Sequence, residues 1–505
     1  MKKINSALIS VYNKQNLDKI VEALNANDIK IYSTGGTYKY IQSLGVKCTS
    51  VENITTYPSI LGGRVKTLHP KIFGGILSRR DNEKDKEDLK KYNIPEIDIV
   101  IVDLYPFEET IKNTDNENEI IEKIDIGGIS LIRAAAKNHK DVLIISESSQ
   151  YNDLINLLNE KKGYTSLEDR KYFAIQAFNV SSHYDNIIFN HFNKKREIKS
   201  FKQSINKSTS LRYGENPHQK GIFYGDISKV FKQLHGKTIS YNNLIDLDSA
   251  ISLIKEFSEK TFIILKHTNP CGCASRTKLI DAWNDALAGD PISAFGGVLI
   301  TNSIVDIETA KEINKLFFEI ILAPGYEKEA FDILSSKKNR IILQKKSYEF
   351  SDTMFKSLLN GVIEQTKDLV SEKEEDFKQV TKTPPKDNEI KDLIFANKIV
   401  KHTKSNAIIL VKNKQLIGSG MGQTSRIDSL KHAIEKAENF NLDLTGSVMA
   451  SDAFFPFSDS VELAHKKGIT AVIQPGGSIR DKDSIDYCNS NDMCMIFTGI
   501  RHFKH

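Results

Sequence analysis

A lysine and a histidine stand side by side at the end of an apolar run, and together they could move a proton. Residues 262–265 read Phe-Ile-Ile-Leu and lead directly into Lys266 and His267, with Asn269 and Pro270 just beyond. Short apolar runs bounded by turn residues are typical of strands in parallel sheets, and open α/β sheets bind ligands beyond the carboxyl ends of their strands. Because Pro270 lacks an amide donor and restricts Asn269, we expect strand pairing to stop here and both side chains to enter one crevice.

The same pair has a simpler structural interpretation. A half-exposed lysine beside a histidine that satisfies a backbone carbonyl gives the same sequence, and for an isolated pair this is the more common arrangement. The ordinary pKa of histidine, about 6.5, nevertheless suits a general base near neutral pH. Other parts of the chain must decide between the two interpretations.

Two glycine-containing segments near the N-terminus are candidate anion-binding sites. A predicted strand runs into Ser-Thr-Gly-Gly-Thr at residues 33–37 and then into a helical pattern, so amides, hydroxyls and a helix N-terminus meet at one point. Residues 62–70 place Arg64, Lys66 and Thr67 on a loop, where arginine can bind a phosphate through two hydrogen bonds and lysine adds a point charge. The alternatives are a tight turn and a solvated basic loop, but the combination favours a phosphate site.

A third segment, residues 125–139, is predicted to be a helix preceded by the carboxylate of Asp125. Arg133 and Lys137 are four positions apart and are therefore neighbours on one helical face. Like charges at this spacing destabilise each other unless an anion lies nearby, which favours an anionic ligand. The alternative is two long side chains that extend over a solvated face.

The composition is that of a large globular chain. With 505 residues, the chain exceeds the roughly 250 to 300 residues that one core supports, so at least two domains are expected. The net charge of +5, from 70 basic and 65 acidic residues, is too small to indicate a nucleic-acid partner. No run approaches the roughly 20 apolar residues of a membrane span, and residues 4–11 are predicted to be a strand rather than a signal peptide. We therefore expect a cytoplasmic protein without membrane or nucleic-acid partners.

The order of predicted elements indicates an α/β fold with two domains. Strand-like and helix-like segments alternate from residue 4 to about 192, which is typical of a parallel sheet covered by helices. Residues 194–210 lose this periodicity and form a predicted linker between domains 1–193 and 211–505. The larger domain is predicted to contain two related α/β lobes, at about 211–380 and 387–505, with a Lys- and Glu-rich interruption over 335–386. The strands predicted in the first domain span 4–11, 29–33, 97–104 and 142–145, and the helices span 15–26, 128–138 and 166–192.

The three N-terminal motifs, together with Leu-Tyr-Pro-Phe at residues 104–107, resemble the IMP cyclohydrolase domain of a bifunctional purine biosynthesis family. This domain has a methylglyoxal-synthase-like fold. The resemblance implies that Lys137, Tyr105 and Asp125 polarise the formyl oxygen and steer proton transfer during ring closure. Phe73 departs from the family, which usually has a histidine at this position. The residues implied to bind the substrate and its phosphate are Ser10, Lys14, Ser33, Thr34, Gly35, Arg64, Lys66, Thr67 and Gly127.

Four motifs of the second half resemble the AICAR transformylase domain of the same family, whose two lobes are similar in fold to cytidine deaminases. The resemblance therefore covers nearly the whole chain, with the motifs in order. His402 departs from the family, which more often has a larger aromatic residue before the Ser-Asn pair. The motifs are Arg-Tyr-Gly-Glu-Asn-Pro-His-Gln at 212–219, Lys-His-Thr-Asn-Pro-Cys-Gly at 266–272, Ser-Asp-Ala-Phe-Phe-Pro-Phe at 451–457 and Arg-His-Phe-Lys-His at 501–505.

The resemblance implies two consecutive reactions. A formyl group passes from the co-substrate 10-formyltetrahydrofolate to the 5-amine of AICAR, and the product FAICAR closes to IMP with loss of water. His267 would be the base, Lys266 would stabilise the oxyanion or protonate the departing N10, and Asn406 would orient the carboxamide or His267. The family is usually homodimeric, with transformylase sites at the subunit interface. The residues implied to hold AICAR or to line the folate or substrate pocket are Arg212, Tyr213, Asp452, Phe454 and His505.

No catalytic metal is predicted. The zinc signature of the deaminases has two residues between its cysteines, whereas Cys271 and Cys273 are separated by one, and no His-x-Glu precedes them. The chain has five cysteines, an odd set in which only these two are close, so reduced thiols are expected.

Two other functions stay open on the sequence alone. The first domain by itself would fit a phosphate-eliminating lyase of the methylglyoxal synthase type, but the second half would then lack a purpose. Deaminase-like lobes would also fit a non-enzymatic RNA-binding module. The weak net charge and the lack of arginine-aromatic binding segments count against RNA.

Overall fold

The computed structural model describes every residue from Met1 to His505. Its chain divides into two compact units, Met1–Asn206 and Lys207–His505, and this division falls within the predicted linker, 194–210. None of the helices combines the length and the apolar character needed to cross a bilayer.

The first unit is built around a five-stranded, fully parallel sheet in the order β4-β3-β2-β5-β6. A short antiparallel pair, β1 with β7, lies apart from it. The strands are β1 (Lys2–Lys3), β2 (Ser6–Ser10), β3 (Lys30–Ser33), β4 (Cys48–Ser50), β5 (Ile99–Val102), β6 (Leu143–Ile145) and β7 (Tyr164–Thr165). The helices are α1 (Leu17–Ala26), α2 (Gly35–Ser43), α3 (Val51–Thr55), α4 (Pro70–Leu77), α5 (Glu83–Lys91), α6 (Phe107–Asn113), α7 (Glu117–Ile121), α8 (Gly127–Lys137), α9 (Tyr151–Glu160) and α10 (Leu167–Phe192).

The parallel sheet confirms the prediction for this half. The central strand β5 is Ile-Val-Ile-Val and is buried along its whole length, because helices cover both faces of the sheet. Helix α8 packs on β5 and β6 through its Leu131, Ile132 and alanine face. The carboxyl ends of β2, β3 and β5 therefore meet at one edge, where the candidate residues of the first unit lie.

The second unit is built on a single twelve-stranded sheet in the order β10-β15-β14-β13-β11-β12-β20-β19-β21-β22-β23-β18. The strands are β8 (Ser208–Ser210), β9 (Ile222–Tyr224), β10 (Phe231–His235), β11 (Thr261–Lys266), β12 (Asn269–Ser275), β13 (Val298–Thr301), β14 (Ile320–Ala323), β15 (Ile341–Lys345), β16 (Thr353–Leu358), β17 (Gly361–Thr366), β18 (Lys378–Gln379), β19 (Ile408–Lys412), β20 (Gln415–Gly420), β21 (Val448–Ser451), β22 (Ala471–Gln474) and β23 (Cys494–Phe497). The helices are α11 (Tyr241–Ile254), α12 (Leu279–Gly289), α13 (Pro291–Ala294), α14 (Ile307–Ile313), α15 (Lys328–Ser335), α16 (Asp387–Lys401), α17 (Arg426–Asn439), α18 (Asp459–Lys466) and α19 (Asp481–Ser490).

The twelve strands form two lobes with the same topology, which confirms the predicted pair of related lobes. At the centre of the sheet, each lobe has an antiparallel hairpin, β11–β12 or β19–β20. From the first strand of the hairpin, the sheet continues outward through one antiparallel strand and then two strands parallel to it. A short antiparallel strand closes each outer edge. The hairpins stand next to each other at the centre, where Ala274 of β12 pairs with Gln415 of β20. The repeat is visible in the strand order although no repeated motif marks it in the sequence.

The prediction of a parallel strand at residues 262–265 is wrong. β11 is antiparallel to both of its neighbours. Its apolar character reflects burial on both faces of the sheet, and burial does not specify strand direction. Pairing also continues past the expected stop, since Leu265 pairs with Pro270 across a register shift and Lys266 pairs with Asn269. The shift accommodates the missing amide of the proline.

The Lys- and Glu-rich stretch, residues 335–386, is more ordered than its composition suggested. It contains β15, a strand of the main sheet whose three apolar residues, Ile341–Leu343, are buried. In the sequence these three residues are flanked by charged and polar ones. It also contains the hairpin β16–β17, which is exposed along almost its whole length.

Two glycines at matching positions let a helix approach each central hairpin. A Cβ on Gly272 of β12 would lie 2.1 Å from the Ala286 carbonyl oxygen of α12, and one on Gly418 of β20 would lie 2.3 Å from the Ala433 carbonyl oxygen of α17. Both separations are far below van der Waals contact, so only glycine fits without moving a helix.

We predict that Gly272→Ala lowers the free energy of unfolding by about 1–3 kcal/mol, the usual cost of overpacking a core. Chemical denaturation followed by the fluorescence of Trp283, which is buried in α12, measures this change. Gly361→Ala is the matched control, because nothing lies within 4 Å of a Cβ at that position. Equal stability of the two variants would contradict the proposed close approach.

Candidate active sites

The first unit has a cationic cradle at the N-terminus of α2. β3 ends at Ser33, Thr34 precedes the helix, and Gly35 takes a φ of +53°. A Cβ on Gly35 would lie 3.5 Å from Lys66 Nζ, and one on Gly36 would lie 4.0 Å from Lys14 Nζ. Two ammonium groups therefore lie over a helix N-terminus, where backbone amides and the helix dipole already favour an anion.

The hydroxyl groups at this edge differ in how they are held. Ser33 Oγ donates to the Ile9 carbonyl at 2.7 Å, and Ser10 ends the neighbouring strand β2. Thr34 Oγ1 is buried and has no hydrogen-bond partner. An unsatisfied buried hydroxyl at the edge of a cationic cradle is consistent with a ligand that accepts a hydrogen bond from it.

A carboxylate lies at the start of a second helix, α8. Asp125 Oδ1 accepts a hydrogen bond from the Gly128 amide at 2.6 Å, and a Cβ on Gly127 would lie 3.0 Å from Thr67 Oγ1. Burial raises the pKa of Asp125, although the Gly128 amide and the charge of Lys66 act in the opposite direction. The carboxyl group is thus poised to exchange a proton at a higher pH than an ordinary aspartate.

Tyr105 belongs to the same group of residues. Burial raises the pKa of its hydroxyl, and the charge of Asp125 raises it further. The ring of Tyr105 packs edge-on against Tyr12, and Lys123 Nζ lies over both rings. Its hydroxyl therefore stays protonated near neutral pH and is a potential donor.

Three other predicted positions of the first unit lie outside this group. Lys137 is the last residue of α8 and is exposed, and with Asp125 before the first turn the helix separates them by about 15 Å. Arg64 is exposed and pairs with Glu122. Phe73, on α4, packs against the hydrophobic core, so the departure at this position affects packing. The structure thus brings Asp125, Tyr105, Lys66 and Thr67 together but not Lys137.

In the second unit, Lys266 and His267 lie at the tip of the central hairpin β11–β12. His267 and Thr268 form a two-residue turn with φ values of 52° and 67°, as hairpin turns that match the strand twist require. The Thr268 amide donates to Asp246 Oδ1 of α11 at 2.8 Å. His267 is exposed, whereas Lys266 is half-buried and donates from Nζ to the Phe295 carbonyl at 2.7 Å. The lysine ammonium is therefore fixed beside an accessible imidazole.

Asn269 connects this turn with the second lobe. Its side-chain Nδ2 donates to the His267 carbonyl at 2.9 Å, and its side-chain Oδ1 accepts from the Lys404 backbone amide at 2.9 Å. Lys404 opens the loop that leads through Ser405 to Asn406. The two lobes therefore present their candidate residues to one place.

Arg426, which the sequence did not single out, organises the second-lobe residues. Its Nη2 donates to Asp452 Oδ1 at 2.6 Å and to Asn406 Oδ1 at 3.1 Å, and its Nη1 donates to the Phe454 carbonyl at 3.3 Å. The side chains of Arg426 and Asp452 are 8% and 0% exposed. A buried carboxylate directly after strand β21 requires a cation, and this was the available sequence signal for Arg426.

The C-terminal tail reaches the same loop. The Ser405 amide donates to the Lys504 carbonyl at 3.0 Å, and the Lys504 amide donates to Ser405 Oγ at 3.0 Å. His505 follows directly and is exposed. Lys504 Nζ donates to the carbonyl of His402, whose ring in turn lies 2.8 Å from Glu256 Oε1. At the position of the expected large aromatic residue, the chain thus has a buried polar contact.

Arg212 and Tyr213 form a cation–π pair near the first-lobe residues. The Arg212 guanidinium lies 4.7 Å from the centre of the Tyr213 ring, and Nη2 donates to its hydroxyl at 2.9 Å. This segment is attached to α11 by Asn242, which donates to the Glu215 carbonyl at 3.0 Å. Asn242 and Asp246 are four residues apart, so the segment and the His267 turn meet the same face of α11.

The cysteines near the hairpin are buried within β12. Cys271 Sγ contacts the Ile264 carbonyl at 3.5 Å, and burial raises the pKa of its thiol to about 12. Across residues 1–505, no three His, Cys, Asp or Glu side chains are grouped as metal ligands.

Comparisons with known proteins match both halves. A family model described as the AICARFT/IMPCHase bienzyme matches residues 135–436, and one for an MGS-like domain matches residues 16–130. The bifunctional purine biosynthesis protein PurH of Bacteroides thetaiotaomicron is 59% identical over 504 residues, covering 100% of this chain and 99% of that protein.

More distant relatives carry the same name. PurH of Aquifex aeolicus is 47% identical over 509 residues, covering 99% of this chain and 100% of that protein. PurH of Caldicellulosiruptor saccharolyticus is 46% identical over 518 residues, covering 99% of each. A crystal structure of ForH is 31% identical and covers 37% of this chain and 99% of its own, but its TM-score of 0.34 is too low to support a structural argument. The chain therefore belongs to the AICARFT/IMPCHase bienzyme family and is a bifunctional enzyme of purine biosynthesis.

Proposed function

We propose that the second unit transfers a formyl group from 10-formyltetrahydrofolate to AICAR and that the first unit closes FAICAR to IMP. The observation that carries the assignment is the chain of hydrogen bonds from the His267 turn through Asn269 to the loop that contains Asn406. It supports a joint role of His267, Lys266 and Asn406 as the base, the cation and the amide that formylation of an aromatic amine would use. The cationic cradle of the first unit supplies a separate phosphate site.

Formyl transfer begins with a weak nucleophile. The 5-amine of AICAR is conjugated with an imidazole carboxamide, so it must lose a proton as its nitrogen attacks the formyl carbon. The exposed imidazole of His267 takes this proton, while the ammonium of Lys266 stabilises the developing oxyanion. The bond from the formyl carbon to N10 then breaks, and the proton held by His267 passes to N10 as tetrahydrofolate leaves. Asn406, fixed by Arg426, would orient the carboxamide.

Ring closure needs positioning more than covalent catalysis, because nucleophile and electrophile belong to one molecule. The carboxamide nitrogen attacks the formyl carbon, and water is lost. Lys14, Lys66 and the α2 amides would hold the phosphate, and Tyr105 would donate to the formyl oxygen. Asp125, whose pKa is raised by burial, would take and return the proton. Lys137 enters this scheme only through the family resemblance.

We also propose that the active form is a homodimer. The hairpin β16–β17 exposes apolar side chains, with Met354 at 46%, Leu359 at 99% and Ile363 at 56% exposure. An isolated two-stranded hairpin is marginally stable in water, so a second copy of the chain would be expected to cover it. Light scattering should show a dimer for the natural chain and a larger monomer fraction for Leu359→Lys/Ile363→Lys; a natural chain that is monomeric would refute the proposal.

We predict that the two activities separate by mutation. His267→Ala should lower formyl transfer by about 10²–10⁴-fold, the usual contribution of a general base, and leave cyclisation of supplied FAICAR unchanged. Asp125→Asn should do the reverse. Tetrahydrofolate and IMP formation, followed separately by absorbance, measure the two effects. A folded variant that loses both activities would contradict the assignment to two sites.

The pH dependence of cyclisation gives a second test of Asp125. Since burial raises the pKa of this carboxyl and the ionised form is the base, activity should fall with decreasing pH at a higher pH than an ordinary aspartate would give.

Lys66→Met should raise the KM for FAICAR about 10-fold or more through loss of a charge-assisted contact to phosphate. Lys39→Met, on the exposed face of the same helix α2, is the matched control and should leave KM unchanged. Equal KM values for the two variants would exclude the cradle as the phosphate site.

A further inference from the structure

His502 is held between two carboxylates in the interior of the second unit. Its side chain is 2% exposed, with Nδ1 2.6 Å from Asp368 Oδ2 and Nε2 2.8 Å from Glu372 Oε1. An ionised carboxylate only accepts hydrogen bonds, so both ring nitrogens must donate and the ring is an imidazolium. Burial alone would lower the pKa of His502, but its bonds to Asp368 and Glu372 outweigh burial and raise the pKa to about 9.

The two carboxylates belong to a short segment that we call the strap, residues 368–372. The strap is attached to α16 as well as to His502. Lys401 Nζ, 4% exposed, donates to the Val370 carbonyl at 2.6 Å, and Asn397 Nδ2 donates to Glu372 Oε2 at 3.1 Å. His502 is therefore the contact that joins the C-terminal tail to a segment already fixed on α16.

The tail in turn touches the residues assigned to formyl transfer. The His502 amide donates to the Asp452 carbonyl at 3.0 Å, and Asp452 is the buried partner of Arg426, which holds Asn406. Two residues further on, the Lys504 carbonyl accepts from the Ser405 amide and the Lys504 amide donates to Ser405 Oγ, next to Asn406.

We propose that His502 is a positioning residue for formyl transfer: its imidazolium joins the strap to the C-terminal tail and thereby fixes the loop that carries Asn406. The inference rests on the function proposed for the second unit. His502 does not touch the reacting atoms; it acts through the tail and Asp452. A shift of the loop by about 1 Å would be enough to slow the reaction by about 10²-fold.

Other charged groups face this cluster. Glu256, two residues after α11, accepts from Lys401 at the end of α16 and from His402, the residue that follows it. Burial lowers the pKa of His402. Lys504 lies in the tail, and burial lowers the pKa of its ammonium. Lys401 and Arg426 already have carboxylate partners, so His502 is the cation that bonds both carboxylates of the strap.

The first experiment removes the charge. His502→Gln replaces two ring nitrogens, each bonded to its own carboxylate, by one uncharged amide nitrogen. It should therefore leave one carboxylate unpaired and release the strap. We expect a loss of formyl-transfer kcat of about 10- to 100-fold, unchanged cyclisation of supplied FAICAR, and faster hydrogen–deuterium exchange of the amides of residues 367–373. Adding Glu372→Gln should restore part of both, since it removes the buried unpaired carboxylate. Glu375→Gln is the matched control, because this exposed residue makes only a 3.6 Å ion pair with Lys373.

The second experiment varies the pH. If the contact were merely structural, formyl transfer would not respond to pH in this way. A raised histidine pKa means that the favourable interaction is complete below about pH 6.5 and is lost as pH rises through the folded value, about 9. Formyl-transfer kcat of the natural chain should therefore fall as pH rises through about 9. Asp368→Asn, at a carboxylate that is 42% exposed, should move this decline to lower pH because one supporting charge is gone.

Formyl-transfer kcat within twofold of the natural chain in His502→Gln would overturn the proposal, as would an unchanged alkaline decline in Asp368→Asn. If the natural chain itself transfers no formyl group, the function proposed for the second unit fails. In that case hydrogen–deuterium exchange still tests whether His502 holds the strap. Unchanged exchange of residues 367–373 in His502→Gln would refute this.

Discussion

The buried ion pair between Arg426 and Asp452 is the interaction on which the candidate transformylase site depends. One guanidinium holds the Asp452 carboxylate, the Asn406 amide oxygen and the Phe454 carbonyl, so residues from two separate segments occupy fixed positions around it. Removing one member of a buried pair leaves an uncompensated charge and typically costs about 3–5 kcal/mol. Loss of either Arg426 or Asp452 would therefore also release Asn406. While the pair is intact, Asn406 is held in position before any ligand binds.

The arrangement of the two lobes explains why the site lies where it does. Each lobe contributes a central hairpin, and the hairpins stand next to each other in one sheet. The first lobe ends its hairpin in Lys266 and His267, and the second lobe presents Asn406 just before its own hairpin begins. Asn269 and the Lys404 amide join the two. The duplication thus joins the turn that carries Lys266 and His267 in one lobe to the loop that carries Asn406 in the other.

Joining two activities in one chain has a chemical reason. Formylation of a weak amine is poorly favourable, whereas ring closure with loss of water removes the formylated product. Closure therefore drives the first reaction forward by mass action. This coupling needs both activities in the same solution, and it places no demand on how the two units are oriented.

Local elements and the parallel sheet of the first unit followed from the sequence, because runs such as Ile99–Val102 specify burial directly. Strand direction at residues 262–265 did not, since a strand buried on both faces has the same composition in either direction. Asp125 and the cradle were predictable because they lie within continuous motifs. Arg426 and His502 were not, because their partners, Asp452, Asp368 and Glu372, come from segments that only the folded chain brings near. The role implied for Lys137 stays a prediction: it comes from the same continuous motif as Asp125, but helix α8 separates its last residue from its start.

The two proposed sites of this chain would act in sequence. The most direct measurement is an absorbance assay of the purified protein with AICAR and 10-formyltetrahydrofolate, in which tetrahydrofolate and IMP are followed together. If one chain holds two sites that act in sequence, both products should form at matching rates. Formation of neither product, or release of methylglyoxal from dihydroxyacetone phosphate by the same preparation, would contradict it.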